Sequence, residues 1–100
     1  MPYATVPADI TPALDSFCRR WKITKMEEFD AKYAGFPAEL YLIATVAPDA
    51  QWGLFQHSQA ERELGELLGK RIELVSRAGV ETNPLAPREM LDTTRPFYGG

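Results

Sequence analysis

The stretch ELYLIATV at residues 39–46 is the clearest strand signal in the chain, and it decides the fold class. It is rich in β-branched and aromatic residues and lies between Pro37 and Pro48, which mark its limits. Alternate residues form one face of Leu40, Leu42, Ala44 and Val46 and another face of Glu39, Tyr41, Ile43 and Thr45. Both faces are mostly apolar, which is typical of a central strand that is covered on both sides.

The segment before this strand predicts a helix, a strand and a loop. Thr11 followed by Pro12 predicts a helix over residues 11–21, with Thr11 as its side-chain cap and Pro12 at the first helical position. Residues 22–29 predict a short strand with poor alternation, and residues 30–37 predict a loop or short turn because they contain glycine and proline.

The segment after the central strand predicts a helix, a strand and a last helix. Ser58 and Glu61 have the spacing of a capping box, which predicts a helix over residues 58–68 that Gly69 ends. The remaining segments are a strand RIELVS at 71–76, a last helix between Pro84 or Pro87 and Thr94, and a tail at 95–100.

The predicted order of elements is α, β, β, α, β, α, which is too short for a doubly wound sheet. It predicts an α/β domain of the α+β type, in which helices pack on a small mixed sheet. A length of 100 residues fits one domain over residues 1–100, and 45% hydrophobic with 25% charged residues is typical of a folded chain.

Charge and composition argue against several classes of partner. A net charge of -3 and a pI of about 5.1 give no general attraction to a phosphate backbone, so we expect no nucleic-acid partner. Residues 1–10 lack the features of a signal peptide, and no segment is long enough to span a bilayer, which predicts a cytoplasmic protein with no membrane partner. The single cysteine, Cys18, has no partner for an internal disulfide and is expected in the core.

Two carboxylates, Glu39 and Glu73, stand inside apolar strands, where a charge is costly unless it is paired, hydrated or metal-bound. If they lie on one face of adjacent strands, they could hold a hard cation such as Mg²⁺ together with phosphates. The alternative is that both glutamates stand at strand ends and point to water.

Four stretches together resemble the minimal nucleotidyltransferases, the smallest members of the polymerase-β superfamily. They are FCRRWKITKMEEF at 17–29, LIATVAPDAQWGLF at 42–55, ELGELLGKRIELVSR at 63–77 and REMLDTTRPFY at 88–98. The resemblance covers residues 17–98 and rests on the order and spacing of these stretches, since no single stretch is decisive.

In that family a Gly-Ser pair cradles the nucleotide triphosphate, an Asp-x-Asp motif binds two Mg²⁺ ions, and a third acid completes the site. The Gly-Ser place corresponds here to Asp30 and Ala31. The Asp-x-Asp place holds Glu39-Leu40-Tyr41, and the third acid corresponds to Glu73. The resemblance thus implies Glu39 and Glu73 as the catalytic and metal-binding positions, and Asp30 and Ala31 as the cofactor-binding ones.

These departures imply a catalytically degenerate member of the family. Aspartate at the phosphate-binding place would repel a triphosphate, and tyrosine does not normally coordinate Mg²⁺. We therefore expect no cofactor, whereas an active enzyme would need Mg²⁺ and ATP.

Three further residues have competing interpretations. We expect His57 at the surface, because no second histidine or cysteine stands at metal-ligand spacing. Trp52 either plugs the core beneath a helix or is an exposed anchor for a partner. Tyr41 either packs in the core, fills the emptied nucleotide pocket or forms part of an interface.

The resemblance implies three candidate functions. The first is protein binding, as an antitoxin-like partner of a HEPN-type toxin or as a homodimer. The second is a residual enzyme that moves an AMP group from ATP to a protein or small acceptor through one metal held by Glu39 and Glu73. The third is a nucleotide-binding module without turnover.

Overall fold

The structure, a computed structural model, describes residues 10–99. Four strands form its sheet: β1 (Ile23–Glu28), β2 (Leu40–Val46), β3 (Ile72–Ser76) and β4 (Arg95–Gly99). They lie in the order β3-β2-β1-β4. Strand β1 is antiparallel to β2 and β4, whereas β2 is parallel to β3. The sheet is therefore mixed, and the 39–46 stretch supplies one of its inner strands, as predicted.

Helices connect these strands and cover the sheet. They are α1 (Thr11–Trp21), α2 (Leu54–Leu68), α3 (Arg77–Thr82), α4 (Arg88–Asp92) and a 3-10 helix (Ala31–Tyr33). The first and last α-helices confirm the predicted ones, but α3 was not predicted. Ser76 is the N-cap residue of α3, since its hydroxyl accepts the Gly79 N–H at 3.0 Å.

Two apolar clusters cover opposite faces of β2. The larger cluster, under α1 and α2, includes Leu14, Phe17, Met26, Leu42, Leu64, Leu74 and Phe97. The smaller one has Phe29, Ile43 and Met90 at its centre. Leu42 and Ile43 are neighbours in the strand and are both 0% exposed, so β2 is covered on both sides as its sequence indicates.

The start of α2 differs from the prediction. The helix begins at Leu54, four residues before Ser58, and the Gln56 side chain accepts the Gly53 N–H at 3.0 Å. Gly53 is the N-cap residue, but it has no side chain that a capping pattern could detect. The sequence pattern therefore favoured Ser58 and Glu61. Thr11 is likewise not a cap, because it is already the first residue of α1.

The tail predicted at 95–100 was also wrong, because residues 95–99 form β4. Pro96 argues against a strand, since it cannot donate a hydrogen bond. Strand β4 can contain Pro96 because β4 lies at the edge of the sheet, where β1 is the only described strand that pairs with it. The other side of β4 needs no hydrogen-bond donor to the sheet. Phe97 is 1% exposed and anchors the strand in the larger cluster.

Two side chains of α2, those of Glu61 and His57, bond to backbone groups of Leu74 at the outer edge of β3. The position of His57 differs from the expectation. The Glu61 carboxylate accepts the Leu74 N–H at 2.8 Å, and His57 Nε2 lies 2.6 Å from the Leu74 carbonyl oxygen. Because a carbonyl only accepts, Nε2 must carry the proton. His57 is thus half-buried and holds a strand edge, and is not a surface residue.

Of the two interpretations of Trp52, the structure shows the one in which it packs in the core. It is half-buried and packs against the larger cluster, with its ring edge-on to Trp21 at 6.2 Å between centroids. Within residues 10–99 no helix is long and apolar enough to cross a membrane. The expectation that residues 1–10 are not a signal peptide concerns residues that, except for Ile10, lie outside the described part of the chain.

Replacing Glu61 with alanine is expected to lower the free energy of unfolding by about 1–3 kcal/mol, because the buried Leu74 N–H loses its acceptor. The measurement is urea unfolding. Glu66→Ala, at an exposed position of the same helix, is the matched control and should change stability little. Equal effects of the two substitutions would contradict this role of Glu61.

Cys18 is 1% exposed, and burial, with the nearby Asp15 charge, raises the pKa of its thiol to about 12. The neutral thiol is a poor nucleophile. We therefore expect Cys18 to react with a thiol reagent at pH 8 only as fast as the chain unfolds, and rapidly once urea is added. Fast reaction of the folded chain would show that the thiol is accessible.

Candidate functional site

Two of the predicted site residues, Glu39 and Glu73, lie at the amino-terminal ends of β2 and β3, whereas Asp30 and Ala31 follow β1. Glu39 directly precedes β2, and the register sets Tyr41 opposite Glu73. Alternation along the two parallel strands places Glu39, Tyr41 and Glu73 on one face of the sheet. The two glutamates therefore share a face, which was the condition for a joint role.

Glu73 is bound to the loop that follows the 3-10 helix. Its Oε2 accepts the Gly35 N–H at 3.1 Å and its Oε1 accepts the Phe36 N–H at 2.7 Å. Both carboxylate oxygens thus have backbone partners within the chain. Hydrogen bonds to a charged acceptor contribute roughly 1.5–3 kcal/mol each, so the contact fixes the loop over this end of the sheet.

Glu39 is bound to the start of the neighbouring strand. Its Oε1 accepts the Arg71 N–H at 3.1 Å and lies 3.8 Å from Arg71 Nε. The Glu39 backbone N–H also donates to the Arg71 carbonyl at 2.8 Å. The carboxylate is 50% exposed, so it can still be reached from solvent.

Tyr41, at the place of the second acid, packs and bonds locally. Its ring lies 5.6 Å from that of Phe29, between centroids, and its hydroxyl accepts the Ala38 N–H at 2.9 Å. It therefore takes the core alternative and also fixes the end of the loop that Glu73 holds.

Asp30 and Ala31, at the phosphate-binding place, begin the 3-10 helix. The Asp30 carboxylate accepts the Lys32 N–H at 2.9 Å and so caps this helix. Phosphate cradles use backbone N–H groups that face the ligand. Here the Asp30 carboxylate already occupies one amide of the turn, that of Lys32, and its charge is unfavourable to an anion.

A second polar cluster, which sequence reasoning missed, joins β1 to α3 and to the residue before β4. Glu27 accepts from Arg77 Nη1 and from the Thr94 hydroxyl, both at 2.7 Å. The side chain of Glu27 is only 13% exposed. The sequence signal that could have pointed to this cluster is a glutamate inside the strand β1. Among residues 10–99, no three His, Cys, Asp or Glu side chains lie close enough to hold a metal together.

Neither a family model nor a curated protein matches this chain. Among solved structures, the chain is similar to one from a crystal structure of a mutant of the toxin–antitoxin MntA–HpeT. The TM-score is 0.60 at 11% identity, and the match covers 89% of this chain and 72% of the other. The fold is nucleotidyltransferase-like. At this identity the likeness shows the fold alone, and it confirms the fold class predicted from the sequence.

Replacing Glu73 with alanine is expected to release residues 35 and 36, because their N–H groups lose both acceptors. Hydrogen exchange of these two amides should become faster. Glu39→Ala is the control, because it removes a contact to Arg71 and leaves the loop amides bound. Unchanged exchange in Glu73→Ala would show that the carboxylate does not hold the loop.

Proposed function

We propose that this chain is a catalytically degenerate nucleotidyltransferase-fold protein that acts by binding a protein partner, as an antitoxin-like partner of a HEPN-type toxin. One observation carries the proposal: both oxygens of Glu73 are bonded to the loop at residues 35–36. In addition, Tyr41 stands where the resemblance implies the second metal-binding acid.

Charge at the phosphate-binding place supports the loss of catalysis. Two like charges about 4 Å apart repel by roughly 1 kcal/mol in water and by about 4 kcal/mol near a protein surface. The Asp30 carboxylate would exert this repulsion on a triphosphate bound at the family's phosphate-binding place. The chain would have to lose both this charge and the Glu73 contact before a metal-bound nucleotide could take the family's position.

The surface supports binding of a protein. Four large apolar side chains are 74–88% exposed: Phe36, Leu54, Phe55 and Leu85. Leu54 and Phe55 are adjacent in the first turn of α2 and together form an exposed apolar pair. Exposed apolar groups of this size are typical of surfaces that bind other proteins.

The structural neighbour supports the toxin–antitoxin setting, because its own structure is named as a toxin–antitoxin pair. A cytoplasmic location accompanies this proposal. Self-association of the chain through the same exposed side chains is the other form that protein binding could take.

A residual enzyme is the second candidate, favoured by one observation. Glu39 and Glu73 share a sheet face, and the carboxylate of Glu39 is 50% exposed. In this alternative one Mg²⁺ at these glutamates would help to move AMP from ATP to a protein or small acceptor.

The proposal predicts a HEPN-type toxin gene beside the gene for this chain, and co-expression of the two proteins in bacteria tests the proposal by growth. The toxin alone should arrest growth, and the chain should restore it. Glu39→Gln should restore growth as well, because the proposed role needs no metal ligand. Replacing both Leu54 and Phe55 with serine should abolish rescue, because it removes the exposed apolar pair. Gln51→Ser, at an exposed polar position, is the control and should preserve rescue.

The outcomes separate the two candidates. Loss of rescue in Glu39→Gln, together with labelled AMP on the toxin, would favour the enzyme. Failure of the unmodified chain to bind or neutralise the toxin would contradict the antitoxin proposal.

A further inference from the structure

A cleft lies at the opposite end of β2 and β3 from the candidate site. It has a volume of about 430 Å³ and is lined by, among others, Thr45, Val46, Trp52, Arg77 and Glu81. We propose that this cleft binds a small, neutral, planar ligand that carries an amide group. The inference concerns a site separate from the proposed function and does not depend on it.

Topology creates the cleft. The parallel strands β2 and β3 end side by side, and the chain then diverges, into a turn after β2 and into α3 after β3. Crevices beyond the carboxyl ends of parallel strands are where α/β sheets usually bind ligands. Alanines keep the space open: Ala44, Ala47, Ala50 and Ala78 all line it. Its volume falls in the range of about 300–1,000 Å³ that is typical of small-molecule sites.

Charge selects a neutral ligand. Arg77 and Glu81 are the charged residues among the described lining, and they are paired, with Arg77 Nε 3.1 Å from Glu81 Oε2. Arg77 Nη1 also donates to Glu27 at 2.7 Å, and Lys25 Nζ lies 3.8 Å from the same Glu27 oxygen. Two cations thus face two carboxylates. An ionic ligand would find no uncompensated charge and would lose hydration on entry.

Two further polar atoms of the Arg77–Glu81 pair match an amide. Arg77 uses Nε and Nη1 for its contacts, which leaves Nη2 as a donor, and Glu81 accepts through Oε2, which leaves Oε1 as an acceptor. An amide oxygen can accept from the guanidinium while its NH₂ group donates to the carboxylate.

Trp52 favours a planar ligand. The residue lines the cleft, and its Nε1 is buried without a hydrogen-bond partner among the described residues. An unsatisfied buried donor is unfavourable, so a ligand acceptor that the indole reaches by a small ring rotation would be bound more tightly. The flat indole itself favours an aromatic ring.

Three probes of the same shape test the charge argument: benzamide is neutral, benzoate is an anion and benzamidinium is a cation. The measurement is the NMR signal of each indole N–H during titration. Trp21 is the internal reference, because its Nε1 already donates to Glu63 at 3.2 Å. Benzamide should shift the Trp52 signal saturably and more than the Trp21 signal. The two ions should bind at least about tenfold more weakly because of their desolvation.

Variants locate the binding. Ala78→Phe, at an exposed position of α3, should fill the cleft and abolish the benzamide shift, and Ala47→Phe does the same from the other wall. Gln51→Phe adds the same bulk at an exposed position outside the described lining and should leave the shift unchanged. The proposal is overturned if benzamide gives no saturable shift, if either ion binds as well as benzamide, or if the shift survives in both cleft-filling variants.

Discussion

Strand β2 is buried on both faces at its centre, and the polar side chains at its amino-terminal end bond to other groups of the chain. These bonds shape the candidate site. Glu39 bonds to Arg71 of the neighbouring segment, Tyr41 to Ala38, and Glu73 to the loop amides. Glu73 and Tyr41 thus connect the loop to the sheet, and Glu39 connects β2 to the segment before β3.

Such a role competes with metal binding. A cation at Glu73 would have to displace two backbone N–H donors, and each released donor would need a new partner. Catalysis in the resembled family would also need a second acid, where this chain has a phenol. Under the proposed function, the surface that is catalytic in the resembled family has become part of the scaffold here, and other surfaces bind the partner.

Sequence reasoning predicted the elements whose signals are local. The alternation of residues 39–46 predicted a strand covered on both sides. Period two grouped the residues of each strand into two faces, but only the register shows which face of β2 matches which face of β3. Strand β4 was missed because Pro96 opposes a strand, and only the burial of Phe97 against the distant β1 outweighs it. The cap of α2 was misplaced because Glu61 serves β3, a contact that sequence spacing does not show.

The Glu73 contact could not be predicted for the same reason. It joins residues 37 and 38 positions apart, and it depends on the backbone path of the loop more than on the identity of its side chains. The resemblance pointed to these acids, but only the folded chain shows that both oxygens of Glu73 and Oε1 of Glu39 already have partners.

The most direct measurement of this account is an NMR titration with Mn²⁺ and ATP, in which a bound paramagnetic ion broadens nearby amide signals. We expect no selective broadening at residues 39–41 and 73. Saturable broadening confined to these residues, and dependent on ATP, would show that the surface still holds a metal–nucleotide complex and would contradict the account.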